Sequence, residues 1–131
     1  MPEENIKSVV VDASFILAYL LPDEQFPADE ILKQFKSGKL KFISVKLLPF
    51  EVLNSLKSAL KSKRINHRQA KILINRFFKL GINLIKVDFA AVFGLAVKHS
   101  LTVYDAGYLW LAKNKKVKLQ TLDKQLKKIA G

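Results

Sequence analysis

Cysteine is missing from this chain of 131 residues. Its absence excludes disulfides and thiolate metal sites, and it is typical of proteins that work in a reducing compartment. Long apolar segments are missing too, because the longest run, residues 13–21, is shorter than a bilayer-spanning helix. The start, MPEENIK, also lacks the positively charged region of a secretory signal. We therefore expect a soluble, cytoplasmic protein that does not enter a membrane.

Three kinds of catalytic motif are also missing. The glycines are too scattered for a phosphate-binding loop, since they stand at positions 38, 81, 94, 107 and 131. A haloacid-dehalogenase-type phosphatase needs a second aspartate two residues after Asp12, where this chain has Ser14. A Ser/His/Asp hydrolase would depend on His67 or His99, for which a helix cap, a surface position or a helix-end role is the simpler interpretation. These reaction classes are therefore disfavoured.

Negative charge is scarce beyond residue 30. All but one of the 23 Lys and Arg residues lie there, but only four of the 11 acids do: Glu51, Asp88, Asp105 and Asp123. The formal net charge of +12 favours polyanionic partners, chiefly nucleic acid, through counterion release and long-range steering. A solvated, lysine-rich surface is the alternative explanation. Acids that remain in so basic a region need a specific reason.

Hydrophobic periodicity predicts strands that alternate with helices along the chain. Strands are expected at residues 6–11, 40–45, 82–87 and 117–121. Helices are expected at residues 14–21, capped by Ser14, and at 27–38, 46–63, 67–80, 88–99, 104–114 and 122–130. No hairpin signal separates two strand runs. The pattern predicts a single domain over residues 1–131, a three-layer α/β/α sandwich with a mainly parallel central sheet.

Four acids lie close to the expected ends of strands or the starts of helices. Asp12 ends the first strand, Glu51 lies in the first turns of the helix after the second, Asp105 begins a helix, and Asp123 follows the fourth strand. Parallel sheets bind ligands outside the carboxyl ends of their strands, so these acids are expected to converge at one edge. Each also has an ordinary interpretation as a cap or helix-dipole partner, and Thr102 to Asp105 has the form of a capping box.

A cluster of these acids would suit the hydrolysis of phosphodiesters. That chemistry needs hard oxygen ligands for one or two Mg²⁺ or Mn²⁺ ions, often roughly 4 Å apart. Without a cation, the carboxylates would repel one another and raise each other's pKa values, and a divalent metal removes that conflict. Asp88, in contrast, is expected to be an N-cap and nothing more.

A resemblance to the PIN-domain family, closest to its VapC-type toxin branch, is carried by four segments in order: VVVDASFILAYLLP, LLPFEVLNSLKSAL, LTVYDAGYLWLAKN and LQTLDKQL. It covers nearly the whole chain. The resemblance implies a ribonuclease that depends on Mg²⁺ or Mn²⁺, acts as a homodimer and is held inactive by a cognate antitoxin. It places the metal-binding acids at Asp12, Glu51, Asp105 and Asp123. The chain departs from the family's plainer helix at Gly107 and Trp110, which leaves the width of the pocket open.

The sequence therefore predicts a metal-dependent endoribonuclease that cleaves single-stranded or structured RNA as the toxin of a type II toxin–antitoxin pair. Ser14 and Thr121 would position water or a ligand carboxylate, and Asn54 would support the site. Basic residues in and after the third helix are candidates for binding RNA phosphates: Lys57, Lys61, Lys63, Arg64 and Arg68. The alternatives are an RNA-processing nuclease without a toxin role and a non-catalytic module that binds RNA or a partner.

Apolar side chains are concentrated in the first two expected helices: Phe15, Ile16, Tyr19, Leu20, Phe26 and Phe35. Packing into the core is one interpretation of this concentration. A surface for a protein partner is the other.

Overall fold

A computed structural model describes residues 6–131, which contain four strands and seven helices. The strands are β1 (Lys7–Val11), β2 (Leu40–Val45), β3 (Asn83–Ile85) and β4 (Leu119–Gln120). The helices are α1 (Ala13–Leu20), α2 (Asp29–Lys36), α3 (Leu48–Lys61), α4 (His67–Lys79), α5 (Phe89–His99), α6 (Val103–Lys115) and α7 (Lys124–Ala130). None of the helices in this range is long and apolar enough to cross a membrane. Residues 1–5, which the sequence assigns to the same domain, lie outside the described range.

The four strands form one parallel sheet in the order β3-β2-β1-β4. The chain moves outward from β1 to β2 and β3, and then returns to place β4 on the other side of β1. Because parallel crossovers are right-handed, the two directions of travel put their helices on opposite faces of the sheet. Accordingly, α1, α3 and α4 contact one another, whereas α6 contacts β1, β2, β4, α5 and α7. The predicted three-layer α/β/α sandwich with a parallel sheet is confirmed.

The core is centred on β1 and α6. Val10 and Val11 are completely buried, as a continuous β-branched run predicts for a strand covered on both faces. On α6, Tyr108 and Leu111 are almost inaccessible. Burial of each large apolar side chain contributes about 2 kcal/mol. This packing fixes the start of α6 relative to the carboxyl ends of the strands.

The start of α1 differs from the expectation. Asp12, not Ser14, is the N-cap, because its backbone is extended and its Oδ1 accepts a hydrogen bond from the Phe15 amide at 3.0 Å. The next helix, α2, begins at Asp29 rather than at Pro27. Ser14 therefore lies inside the first turn of α1, where its hydroxyl is available for other contacts.

The apolar residues of the first two helices belong to the core. Phe15, Ile16 and Leu20 are buried, and the remaining three pack against the core while partly exposed: Tyr19, Phe26 and Phe35. This confirms the core interpretation and removes these residues as a partner surface. An exposed apolar surface lies instead on α5, where Phe89, Phe93 and Val97 are exposed by 80%, 63% and 65%. These three residues, spaced four apart, form the apolar stripe of α5.

The carboxyl ends of β1 and β4 lie side by side, because Val10 and Val11 pair with the two residues of β4. The direction of chain travel reverses between these strands, which makes this the topological switch point where open α/β sheets bind ligands. Asp12 follows β1 directly, and Asp123 follows β4 after Thr121 and Leu122. The fold therefore brings the first and last of the predicted acids to the same place.

Candidate metal centre

Asp12 is the most deeply buried acid at this edge, with 4% of its surface exposed. Both of its carboxylate oxygens accept hydrogen bonds. Oδ1 accepts from the Ser14 hydroxyl at 2.7 Å and from the Phe15 amide at 3.0 Å, and Oδ2 accepts from the Thr121 hydroxyl. Burial raises the pKa of Asp12 above its ordinary value, and these hydrogen bonds partly offset the rise. The side chain is thus held in a single position.

Ser14 and Thr121 connect the end of β1 to the segment after β4. Their hydroxyl oxygens are 3.3 Å apart, and each also accepts a hydrogen bond from a backbone amide. The Leu122 amide donates to Ser14 Oγ at 2.9 Å, and the Asp123 amide donates to Thr121 Oγ1 at 3.1 Å. Both hydroxyls therefore orient the Asp12 carboxylate, while their predicted role at a metal site stays a prediction.

Asp123 is the N-cap of α7, since its Oδ1 accepts a hydrogen bond from the Leu126 amide at 2.8 Å. The residue is exposed, in contrast to Asp12. Its negative charge nevertheless contributes to the raised pKa values of Asp12 and Asp105. The sequence expectation that Asp123 lies near the start of the last helix and near the other acids is therefore consistent with this geometry.

Glu51 lies in the first turn of α3 and is held by a residue of α6. The Tyr108 hydroxyl donates to Glu51 Oε1 at 2.6 Å, across 57 positions of sequence. The pKa of Glu51 lies above its ordinary value, chiefly because the residue is partly buried. The Tyr108 hydrogen bond lowers this pKa, and the negative charges of Asp105 and Asp12 raise it. Tyr108 was not among the site residues predicted from the sequence. The signal that would have found it is its position three residues after Asp105, on the same face of a helix.

Asp105 lies in the first turn of α6, where the backbone amides and the helix dipole favour a negative charge. Its amide donates to the Thr102 hydroxyl at 3.1 Å, which is one half of the predicted capping box. The reciprocal bond, in which the Thr102 amide would donate to the Asp105 carboxylate, is not formed between these described residues. Only one half of the capping box is therefore formed, and a hydrogen bond with the Thr102 side chain lowers the pKa of Asp105 against the larger effect of burial.

The four acids act on one another electrostatically. Burial is the first cause of the raised pKa of Asp105, and the negative charges of Asp123 and Asp12 are the next. Ion pairs found within residues 6–131 join Arg64 to Asp23 and Glu24, and none of them involves the four acids. Mutual repulsion at this edge is thus not relieved by a basic side chain in the described part of the chain.

Hard carboxylate oxygens that repel one another are a donor set that fits Mg²⁺ or Mn²⁺. Within residues 6–131, no three acids or histidines are gathered tightly enough to enclose one ion by themselves. The fit nevertheless holds, because Mg²⁺ keeps several of its waters and usually takes only one or two carboxylates from the protein. Asp12, Glu51, Asp105 and Asp123 are the residues that would hold it.

The remaining predicted residues lie outside this cluster. Asn54 is exposed on α3, one turn beyond Glu51, and forms no side-chain hydrogen bond with the described acids, so its supporting role stays a prediction. Arg64 is engaged by Asp23, whose two carboxylate oxygens accept its guanidinium hydrogens at 2.8 Å each. Four other candidates for RNA binding are exposed on α3, on α4 or between them: Lys57, Lys61, Lys63 and Arg68. Asp88 caps α5 through the Ala91 amide, as predicted.

Comparison with known proteins adds a match that covers almost all of the chain. The family model of the PIN domain matches residues 9–131. The chain belongs to the PIN-domain family. Ribonuclease VapC3 of Pyrobaculum aerophilum is 33% identical to it over 122 residues, which are 90% of this chain and 91% of that protein. This PIN-domain relative confirms the predicted resemblance to the VapC-type branch.

Two solved structures of low sequence identity share the PIN-domain fold. PAE2754 from Pyrobaculum aerophilum aligns with a TM-score of 0.71 at 23% identity, over 91% of this chain and 76% of the other. VapC20 of Mycobacterium tuberculosis aligns with a TM-score of 0.66 at 16% identity, over 92% of this chain and 94% of the other. The latter protein is described as a toxin that cleaves the sarcin–ricin loop.

Proposed function

We propose that this protein is a divalent-metal-dependent endoribonuclease and the toxin of a type II toxin–antitoxin pair. The observation that carries the proposal is the convergence of four carboxylates, without a basic partner in residues 6–131, at the switch point of a strongly basic PIN-domain protein. The names of its relatives, a ribonuclease and an RNA-loop-cleaving toxin, support the same activity. We propose one nuclease domain over residues 1–131, acting on RNA in the cytoplasm.

Some of the site residues would bind the metal, and others orient the residues that bind it. A bound Mg²⁺ or Mn²⁺ supplies a Lewis acid that activates water and offsets charge on the phosphate. Asp12 is the fixed ligand, because Ser14 and Thr121 hold both of its oxygens. Asp105 presents its carboxylate from a helix start whose positive end also favours the phosphate of RNA. The acids would hold the metal, and the metal would offset the charge repulsion between them and the scissile phosphate.

The nuclease proposal is tested with labelled RNA and purified protein in Mg²⁺ or Mn²⁺. Wild-type protein should cleave, EDTA should stop cleavage, and Asp105→Asn should reduce the rate by at least about 100-fold, as expected for a lost ligand. Asp105→Asn keeps the backbone amide that donates to Thr102 Oγ1, so the cap of α6 is retained. Asp88→Asn is the matched control, since Asp88 is an N-cap of α5 and asparagine caps equally well. Cleavage that survives EDTA or Asp105→Asn contradicts the proposal, whereas RNA binding without any cleavage by the wild-type protein supports a non-catalytic RNA-binding module.

The toxin role has its own test in cells. Expression of the wild-type chain should arrest growth, Asp105→Asn should not, and the protein encoded by the neighbouring gene should restore growth as the cognate antitoxin. Cleavage in vitro without growth arrest would favour an RNA-processing nuclease that has no toxin role.

We also propose a homodimer in which a second copy of the chain covers the apolar stripe of α5. The stripe is contiguous with exposed Phe50 through an apolar groove, and large exposed apolar patches mark interaction sites. Charge on the helix itself does not oppose a second copy, because the basic residues of α5 are confined to Lys98 and His99 near its end, although Lys46 and Lys86 line the adjoining groove. Phe93→Gln should convert a dimer to a monomer in sedimentation velocity, and Phe78→Gln on α4 should not.

A further inference from the structure

Tyr108 is a buried polar residue that the proposed metal chemistry leaves without a role. Only 1% of its surface is exposed, and its ring is part of the main core. Its hydroxyl has one described partner, Glu51 Oε1, at 2.6 Å. That length is typical of a charge-assisted hydrogen bond from a hydroxyl to a carboxylate, which is about twice as strong as a neutral one.

Glu51 depends on this bond more than Asp12 depends on any of its own. Asp12 has a short side chain held by two hydroxyls and one amide. Glu51 has one more rotatable bond, and the Tyr108 hydroxyl is the hydrogen-bond partner found for its carboxylate within residues 6–131. Because the hydroxyl carries one proton, it holds Oε1 and leaves Oε2 for another partner.

The position of Tyr108 on α6 suits this task. It lies three residues after Asp105, so the two side chains project from the same face of the helix, one turn apart. The hydroxyl donates to Glu51 from this face, so Tyr108 joins the acid of α3 to the helix that carries Asp105.

We propose that Tyr108 is a positioning residue that links α6 to α3, holds Glu51 in the conformer that faces Asp12 and Asp105, and thereby sets the affinity of the site for a divalent metal. The inference rests on the proposed function, because it gives Glu51 the role of a metal ligand. Tyr108 itself touches neither metal nor RNA, since it is enclosed in the core. Outer partners that orient metal ligands typically change metal affinity or activity by about 10- to 100-fold.

The decisive variant is Tyr108→Phe, which removes the hydroxyl and keeps the ring in the core. Mn²⁺ binding is measured by electron paramagnetic resonance of the free ion, which does not depend on RNA cleavage. Tyr108→Phe should bind Mn²⁺ about 10-fold more weakly than wild type. Its kcat should fall at low Mn²⁺ and recover at saturating Mn²⁺, while KM for RNA stays unchanged. Tyr104→Phe, an exposed tyrosine on the same helix, is the matched control and should bind Mn²⁺ as wild type does.

A double-mutant cycle separates positioning from a general loss of packing. Glu51→Gln removes the charge that Tyr108 orients and leaves three acids, so weak Mn²⁺ binding stays measurable. If Tyr108 acts through Glu51, Tyr108→Phe should weaken Mn²⁺ binding about 10-fold in the wild-type background and have almost no effect in Glu51→Gln.

Three results overturn the inference. Wild-type Mn²⁺ affinity in Tyr108→Phe would show that the hydroxyl does not set the site, and would leave the nuclease proposal intact. An equal loss in both backgrounds would assign Tyr108 a packing role only. Wild-type protein that neither binds Mn²⁺ nor cleaves RNA would overturn the proposed function, and this inference with it.

Discussion

The acids of the candidate site differ in what each contributes to the fold. Asp12 and Asp123 cap α1 and α7, so their carboxylates stabilise helix starts. The Asp105 carboxylate forms no such cap, yet it is partly buried beside Asp123 and Asp12. Without metal, Asp105 therefore places a charge at an unfavourable position, which the structure tolerates for function rather than for stability.

The unfavourable burial of the Asp105 charge predicts how the stability of the metal-free protein depends on pH. The folded pKa of Asp105 lies above its ordinary value of 3.8, chiefly because of burial, so the folded chain binds its proton more tightly than the unfolded chain. Stability then falls as pH rises from about 3.8 through the raised folded pKa, and the loss is complete once the pH lies above that folded pKa. In EDTA at pH 7, Asp105→Asn should melt a few degrees higher than wild type in circular dichroism.

The difference should disappear below pH 3.8, where the carboxyl group is protonated in both states. Mn²⁺ should reverse the order of melting temperatures, because ligand at about 100 times its Kd stabilises by about 2.7 kcal/mol and the Asn variant binds it less well. Asp88→Asn is the control with an unchanged melting temperature. A lower melting temperature for Asp105→Asn at pH 7 without metal would contradict this account.

Single residues show where sequence reasoning stops. The cap at Asp88 was readable because a cap depends on residues two or three positions away, whereas the sequence favoured Ser14 over Asp12 as the cap of α1. The contact between Tyr108 and Glu51 was not readable, because it joins α6 to α3 and depends on how the two helices pack. Likewise, the ion pair of Arg64 with Asp23 joins two loops, and it takes one predicted RNA-binding residue out of the free basic surface.

Among the elements, α6 is the one on which the site depends most. It brings Asp105 and Tyr108 to the sheet edge, and Gly107 between them is buried against Val45 of β2. A Cβ added at Gly107 would lie 3.9 Å from Val45 Cγ1, which is an ordinary contact distance. The departure from the family's usual helix therefore leaves room for alanine, and no close approach requires glycine there.

Gly107→Ala should stabilise the protein by up to about 1 kcal/mol, because alanine has a higher helix propensity than glycine. Chemical denaturation of the metal-free protein measures this change. Gly81→Ala is the matched control with the opposite sign. Gly81 follows α4 with a φ of +67°, and a side chain there costs about 1 kcal/mol or more. A destabilised Gly107→Ala variant would show that the α6–β2 contact is tighter than its geometry indicates.

The bounds of helices and strands were predictable where the hydrophobic periodicity of the segment itself determines them. β2 matches its expected range, and α3 to α6 fall within a few residues of theirs. β3 and β4 are shorter than expected because each is an edge strand with a single neighbour, and β4 pairs only with Val10 and Val11. The length of an edge strand thus depends on how many residues of its neighbour it can pair with. The local sequence pattern carries no information about that neighbour.

For the whole molecule, charge and fold act together. The acids are concentrated at the start of the chain and at the sheet edge, whereas α3 and the loop after it carry basic residues on an exposed surface. Lys57 and Lys61 lie one turn apart on α3, on the side opposite its buried residues. Since Arg64 is already paired, the phosphate contacts that release counterions from RNA should be made by these lysines and not by Arg64.

The salt dependence of RNA binding tests whether Lys57 and Lys61, and not Arg64, contact the phosphates. With Asp105→Asn as the background, so that RNA is not cleaved, log K should fall linearly with log salt concentration. Each lost phosphate contact should reduce the slope by about 0.7 for single-stranded RNA, so Lys57→Gln and Lys61→Gln should each bind more weakly and show a shallower slope. Arg64→Gln should leave the slope unchanged, because its charge is offset by Asp23 and Glu24 in the free protein. If Arg64→Gln lowered the slope as much as Lys57→Gln, the ion pair would have to open when RNA binds, and Arg64 would return to the RNA-binding surface that the sequence predicts.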